Sequence, residues 1–249
     1  MTVSYVEPSY VNLASRRLNA LSPLGRDEEA LLRQAAVSTR TFSARSDILR
    51  EGQPVPQPHI ILEGWAYRSR ILSDGRRQIQ QFLLPGDLIG MCRHADPVAL
   101  TTISAQTSVM LCAAPQPLAD REFGLAEAYA RSNSLEEGYL LRHITRLGRM
   151  SAYERIVDWM MEISERLVRA GAGSGDSFAF PVTQELMADL LGLTNVHVNR
   201  MLQALLRDGL LKVHGGWVSI LDRPACERLS ESTWGVQSGH RRGATARFL

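Results

Sequence analysis

The stretch PVTQELMADLLGLTNVHVNRMLQALLRDGLLKVHGGWVSIL, residues 181–221, carries the pattern from which the rest of the chain is read. Thr183 stands where its hydroxyl accepts a free backbone N–H at the start of a helix over Gln184–Leu191. Gly192-Leu193-Thr194 then makes a tight turn, and Thr194 caps a second helix from Asn195 to about Arg207. Two helices joined by a short turn that contains glycine form a helix-turn-helix. Leu186, Leu190, Leu193, Val198, Met201, Leu202 and Leu205 supply its apolar interior, which leaves Asn195, His197, Asn199, Arg200 and Gln203 for other faces. Downstream, Leu210–Val213, the turn His214-Gly215-Gly216 and Trp217–Leu221 read as a β hairpin, a wing.

A second helix whose first two turns expose amide, imidazole and guanidinium groups has the chemistry a DNA major groove requires. Asparagine pairs with adenine edges, and arginine with guanine O6 and N7. The competing reading of the same residues is two packed helices and a hairpin with a merely solvated polar face.

Upstream, Ala170–Ser177 is rich in glycine and serine, has no apolar face and reads as a linker. Before it, about 50 residues are helical: Leu140, Ile144 and Leu147 recur at steps of 4 and 3, and a following helix carries Ile156, Val157, Met160, Ile163 and Leu167. From Thr39 to about Pro117 short apolar runs are broken by Glu51-Gly52, Glu63-Gly64, Asp74-Gly75 and Pro85-Gly86-Asp87, the punctuation of a small antiparallel β barrel or sandwich. Its clearest hairpin runs Trp65–Leu72, turns at Ser73-Asp74-Gly75-Arg76 and returns over Gln78–Leu84. A short amphipathic helix within Leu24–Ala36 opens the fold after a polar start. The expected class is α+β with a boundary near residue 150: a β domain with its central helix in 1–150, and the helix-turn-helix domain in 151–249. The tail from Ser238, with Arg241, Arg242 and Arg247, has little to bury and is expected to be disordered.

The 249 residues carry 28 basic and 26 acidic side chains, a formal net charge of +2, so no global excess of charge names a partner. Lys212 is the sole lysine, and positive contacts are therefore guanidinium forks. The 3 cysteines, Cys92, Cys112 and Cys226, form no CxxC pair, which argues against a disulfide framework or a thiolate zinc site and for a reducing compartment. No run approaches the roughly 18 to 20 apolar residues needed to cross a bilayer, and Met1–Val11 has no secretory pattern, so a cytoplasmic protein without membrane contact is expected.

Two motifs give the chain a family likeness. Leu190-Leu191-Gly192-Leu193-Thr194 followed by Val198-Asn199-Arg200, and Leu62-Glu63-Gly64 through Leu84-Pro85-Gly86-Asp87-Leu88-Ile89-Gly90, resemble the DNA-binding signature and the sensory β roll of the Crp/Fnr family of bacterial transcription regulators. The resemblance covers roughly residues 20–225. It implies a cyclic-nucleotide-binding-like, jelly-roll-type β roll, a long dimerisation helix and a winged helix-turn-helix reading double-stranded DNA. By position, Arg200 matches the family's guanine-reading arginine and Asn199 a variable base-contacting position. Thr183 and His197 match positions near phosphate or base edges, with Asn195 at the start of the recognition helix and Thr194 as its cap. The family's glutamate, which accepts from cytosine, is Val196 here, so an altered half-site is expected, with a thymine methyl as the alternative contact. Leu140, Ile144 and Leu147 then fit the seam of a homodimer on a near-palindromic site, although their spacing alone suits packing against the β roll equally well.

The resemblance also bears on effectors. Family members that bind a cyclic nucleotide carry a Gly-Glu pair and an Arg-Ser or Arg-Thr pair in this loop. Here Met91 follows Gly90, and Arg93, the only arginine between Gly86 and Ser108, precedes His94, so cyclic-AMP sensing is not expected. The iron–sulfur branch uses cysteines mostly near the N-terminus, and none precedes Cys92. Cys92-Arg93-His94 has the spacing of a haem-binding pair but is displaced by two residues, and a free thiol beside a loop histidine is the preferred reading. No cofactor is expected. Arg68, Arg70, Arg76 and Arg77 read as a solvated strand face or a surface for an anionic partner. Arg142, Arg146 and Arg149 read as facing DNA or pairing with Glu136, Glu137 and Glu154. Contact with RNA polymerase follows from the likeness, without residues to assign to it. The alternative function is a ligand-responsive regulatory subunit that docks on a partner protein. An enzyme is not expected, since no nucleophile motif, metal-ligand spacing or phosphate loop is found.

Overall fold

The structure, a computed structural model, describes residues 9–91, 97–117, 124–173 and 175–230. The sensing suggestion at Cys92 and His94 and the arginine-bearing tail lie outside these residues.

Two helices come first, α1 (Ser9–Leu21) and α2 (Arg26–Ala35). From Ser9 onward the stretch expected as a polar start is thus helical as far as Leu21. Ala14 and Leu18, one turn apart, are buried in a cluster with Leu32, Ile60, Leu62, Leu125 and Tyr129. Eight strands follow: β1 (Thr39–Phe42), β2 (Asp47–Leu49), β3 (His59–Glu63), β4 (Ala66–Ile71), β5 (Arg77–Leu83), β6 (Leu88–Ile89), β7 (Thr102–Ala105) and β8 (Val109–Ala113). They pair antiparallel in two sheets of order β1-β8-β3-β6 and β2-β7-β4-β5. Ile61, Ile89, Val109 and Leu111 from the first sheet share a core with Leu83 and Ile103 from the second, which makes the β roll. The Asp-Gly hairpin joins β4 to β5, with a register shift at Arg68/Ser69. At the turn before β4, Gly64 has φ +87°, and an added Cβ would run into the Ser108 carbonyl.

The helices α3 (Gly124–Arg149) and α4 (Ala152–Arg169) follow. Fully buried Glu28 sets the start of α3: its Oε1 accepts the Leu125 N–H at 2.7 Å. Ser151 breaks α3 from α4 by a reciprocal cap, with its Oγ accepting the Glu154 N–H and the Glu154 carboxylate accepting the Ser151 N–H at 2.8 Å. The remaining elements are β9 (Ser177–Ala179), α5 (Gln184–Leu191), α6 (Asn195–Arg207), β10 (Leu211–His214), β11 (Trp217–Ile220) and α7 (Arg223–Leu229).

The expected linker ends earlier than its composition suggests. Ala170 is buried, and Ser177 already pairs with Ser219, so the wing has three strands in the order β10-β11-β9. The β roll and the C-terminal elements also share one core across the break at Ser151. Phe82 of β5 lies 5.5 Å from Trp159 of α4, ring centroid to centroid, and Trp159 lies 5.4 Å from Phe180.

A run of buried charges ties α3 to α4 and to the roll. Arg142 Nη2 meets Asp158 Oδ1 at 2.6 Å, while Arg146 Nη2 bridges Asp158 Oδ2 at 2.7 Å and Glu162 Oε2 at 2.6 Å. Glu162 faces Arg166, which pairs with Asp87 at the start of β6, and Asp87 in turn faces Arg17 of α1. Arg142 and Arg146 therefore neither face DNA nor pair with Glu136, Glu137 or Glu154; their carboxylate partners lie on α4, and only Arg149 of the three is exposed.

His143, buried beside Arg146 with no partner for Nε2, is held down to about 4 by burial and then by the Arg146 charge. Its imidazole is neutral in the fold but protonates below about 6.5 in the unfolded chain. The unfolded state therefore takes up the extra proton, and stability falls as pH drops from 7 toward 4. About 2 kcal/mol should be lost through this group between pH 7 and pH 5. Glu165, whose carboxyl burial pushes up, acts in the opposite sense. The difference between wild type and His143→Asn in urea titrations at the two pH values isolates the histidine; equal slopes would contradict this assignment.

Candidate DNA-reading surface

The surface is built from local rules. Thr183 Oγ1 accepts the Leu186 N–H at 3.3 Å and starts α5. Gly192 ends it at φ 65°, ψ 39°, the left-handed geometry that glycine adopts without a Cβ penalty. The Leu193 N–H closes back onto the Ala188 carbonyl at 3.1 Å, and Thr194 Oγ1 accepts the His197 N–H at 3.2 Å to start α6. Val198, Leu202 and Leu205 bury one face of α6 in the common core.

The other face carries Asn195, Val196, Asn199 and Arg200, all exposed, with His197 half-buried at its side. Val196 is 80% exposed at the start of the helix, a position where a branched apolar side chain gains nothing from the fold. Asn199 is not free on this face: its Nδ2 donates to Gln184 Oε1 of α5 at 3.3 Å. Gln184 escaped the sequence reading because it stands as the first residue of α5, and only the crossing of the two helices brings it to Asn199.

The helix pair is held against the roll at defined points. Arg77 of β5 pairs with Asp189 at 2.6 Å, Gln78 Nε2 donates to the Leu190 carbonyl at 3.1 Å, and Gln106 Nε2 to the Pro181 carbonyl at 2.6 Å. At the α3–α4 break, Arg155 donates to the carbonyls of Leu147, Met150 and Leu191, each at 2.9 Å. These contacts use carbonyls left open at helix ends.

The four hairpin arginines do not form a free cationic surface. Arg68 pairs with Glu136, Arg70 with Glu51, Arg76 with Asp74, and Arg77 with Asp189 and Glu185. The Arg68–Glu136 pair, at 2.5 Å, joins β4 to α3 beside a cleft of about 160 Å³ whose other lining includes Leu49, Val55, Leu88, Met91 and Leu100. Cys112 and Cys226 are buried, and burial pushes both thiols up to about 11, so neither is a ready thiolate. Among the described residues no group of three or more metal-ligating side chains converges, and no helix is long and apolar enough to cross a membrane.

On α3, Ile144 is 66% exposed as expected of a seam, but Leu140 and Leu147 are half-buried within the chain. The free apolar stripe is centred instead on Leu141 and Ile144, with Gly148 one turn on and open space around it. Buried Arg142 and Arg146 turn their side of the helix toward α4, which leaves Leu141 and Ile144 on its free side.

Residues 39–120 match the family model for the cyclic nucleotide-binding domain, and residues 154–229 that for the Crp-like helix-turn-helix domain. The chain is 28% identical over 183 residues to the transcriptional activator protein FnrL of Cereibacter sphaeroides, covering 71% of this chain and 73% of the relative. It is 32% identical over 195 residues to the nitrogen fixation regulation protein FixK of Bradyrhizobium diazoefficiens, covering 76% and 80% respectively. Among solved structures, FixK2 from Bradyrhizobium japonicum superimposes with TM-score 0.65 at 24% identity, over 78% of this chain and 96% of that one. A CRP/FNR-family transcriptional regulator from Thermus thermophilus does so with TM-score 0.61 at 22% identity, over 78% and 99%. With both domain models matched in this order around one long helix, and a FixK relative matched over four-fifths of its length, the chain belongs to the Crp/Fnr family of transcription regulators.

Proposed function

We propose that the chain regulates transcription as a homodimer that sets α6 of each subunit into successive major grooves, about 34 Å apart, of a near-palindromic site. The observation that carries this reading is the two-faced α6: an apolar side locked into the core, and an exposed side made of Asn195, Val196, Asn199 and Arg200. Arg200 reads a guanine through O6 and N7. Val196 cannot accept from cytosine and packs on a thymine methyl. The starts of α5 and α6, with Thr183, Thr194 and His197, approach phosphates, where helix N-termini favour negative charge.

In this reading residues 1–150 are the control unit and residues 151–249 the reader, without catalysis. The protein works in the cytoplasm beside RNA polymerase. The docking-subunit alternative is less favoured because a protein-binding face needs several apolar anchors, and this one offers Val196 alone. The dimer is the testable part. Leu141 and Ile144 leave apolar surface exposed at helical spacing, which suits a two-fold seam. Leu141→Asp combined with Ile144→Asp should convert the dimer to monomers in sedimentation velocity and weaken binding to a two-half-site duplex by about 100-fold or more. A variant that stays dimeric and binds as wild type would remove this helix from the assembly.

A further inference from the structure

Side chains alternate across a β strand, so the pairing register tells which of them face the interior of the roll. On β1, Arg40 and Phe42 stand opposite Leu111 and Val109 of β8, both buried in the core between the sheets. On β3, His59 lies on the face of Ile61, which belongs to that same core, while Ile60 and Leu62 turn to the helices. A guanidinium and an imidazole thus start from the inner faces of the roll. Both line a cavity of about 220 Å³ whose walls include Phe42, Ile48, Leu49, Ile89 and Leu111.

No acidic side chain is among the described residues that line this cavity. The Arg40 guanidinium lies 5.2 Å from the centroid of the Phe42 ring and has no carboxylate partner among the described residues. Burial, and then the Arg40 charge, hold the His59 imidazole below its usual value. An inward charge on an edge strand also guards against pairing with another chain, and β1 is an edge. That role accounts for Arg40 alone, since β3 lies inside its sheet and edge protection needs no cavity. We propose that this end of the roll binds a small apolar carboxylate, an aryl or short alkyl acid, with its charge on Arg40 beside His59 and its apolar part against Phe42, Ile48 and Leu111. Arginine meets a carboxylate through two parallel N–H donors. A cavity below the roughly 300 to 1,000 Å³ of common ligand pockets takes one ring or a short chain. The site is separate from the cleft beside Arg68 and Glu136, and Leu49 and Val55 line both as the wall they share.

The test does not depend on the DNA-reading function proposed above. Benzoate, phenylacetate and hexanoate, each beside its alcohol, are titrated into the full chain by calorimetry, with melting temperature as a second readout. At least one acid should bind one-to-one, about tenfold or more tighter than its alcohol, and should raise the melting temperature by mass action. Arg40→Gln, an exposed change on an edge strand, should bring that acid to the level of its alcohol. Arg45→Gln, an exposed arginine outside the cavity, should keep the wild-type preference. Ile48→Phe, which fills the cavity, should weaken acid and alcohol alike, and its own melting curve shows whether it folds. An acid and alcohol that bind equally, or an Arg40→Gln variant that keeps the preference, would overturn the inference. So would the absence of both heat and thermal stabilisation from all of the acids at about 10 mM.

Discussion

Arg146→Leu should cost the fold about 3–5 kcal/mol, more than any single change on the DNA-reading face. The guanidinium is 1% exposed and its Nη2 lies within 2.7 Å of both Asp158 and Glu162. A leucine is shorter and fills only part of the volume, and it leaves those buried carboxylates without the guanidinium that bridged them. Asp158 keeps Arg142 as a partner, so the burden falls on Glu162, whose remaining contact is Arg166 at 3.5 Å. The asymmetry gives a check. Removing the charge at both ends, Arg146→Leu with Glu162→Leu, should recover a good part of the loss, because an apolar pair often replaces a buried ion pair at little cost. Urea titrations of wild type, the two single variants and the double variant close the cycle. Purely additive effects would mean that the pair is not coupled. The same residues join α3 to α4, so their loss should also loosen the angle at which the reader is carried.

Arg200→Ala should leave stability almost untouched, since the side chain is exposed and has no partner in the fold among the described residues, and should act on DNA alone. A bidentate arginine–guanine contact is worth about 1–3 kcal/mol of discrimination. A dimer makes it twice, so a two-half-site duplex should lose about 2–6 kcal/mol, or roughly 30-fold to 10⁴-fold in affinity. The loss should appear at one base pair per half-site, with the rest of the motif retained. Binding to random duplex should change little, because nonspecific affinity comes from the whole phosphate-facing surface. Competition titrations against specific and random duplexes measure both quantities. An equal loss on the two would make Arg200 a phosphate contact.

Much of the reader is legible in the sequence because its determinants are local. Two threonine caps, a glycine at the left-handed position and the apolar step from Val198 to Leu205 all lie within one stretch and need no distant partner. The β4–β5 hairpin is legible for the same reason, through Asp74-Gly75. What the sequence hides depends on tertiary partners. Arg17, Arg142 and Arg146 look like solvated positions by composition, and only carboxylates on other elements make their burial tolerable. Once they are buried, α1 becomes a core helix and the free face of α3 moves from Leu140 and Leu147 to Leu141. The strand β9 is three residues long and pairs with β11, about 40 residues later, so no local pattern sets it apart from the glycine-serine run before it. Gln184 is hidden in the same way, as its partner Asn199 is a neighbour only across the turn.

If α6 reads DNA sequence through Arg200 on a two-fold site, selection of bound duplexes from a random pool, with wild type and Arg200→Ala side by side, will show it. The expected result is a two-fold symmetric motif with half-sites about one helical turn apart, in which one guanine per half-site loses its preference in the variant. An asymmetric motif, or one that Arg200→Ala leaves unchanged, would contradict that reading of α6.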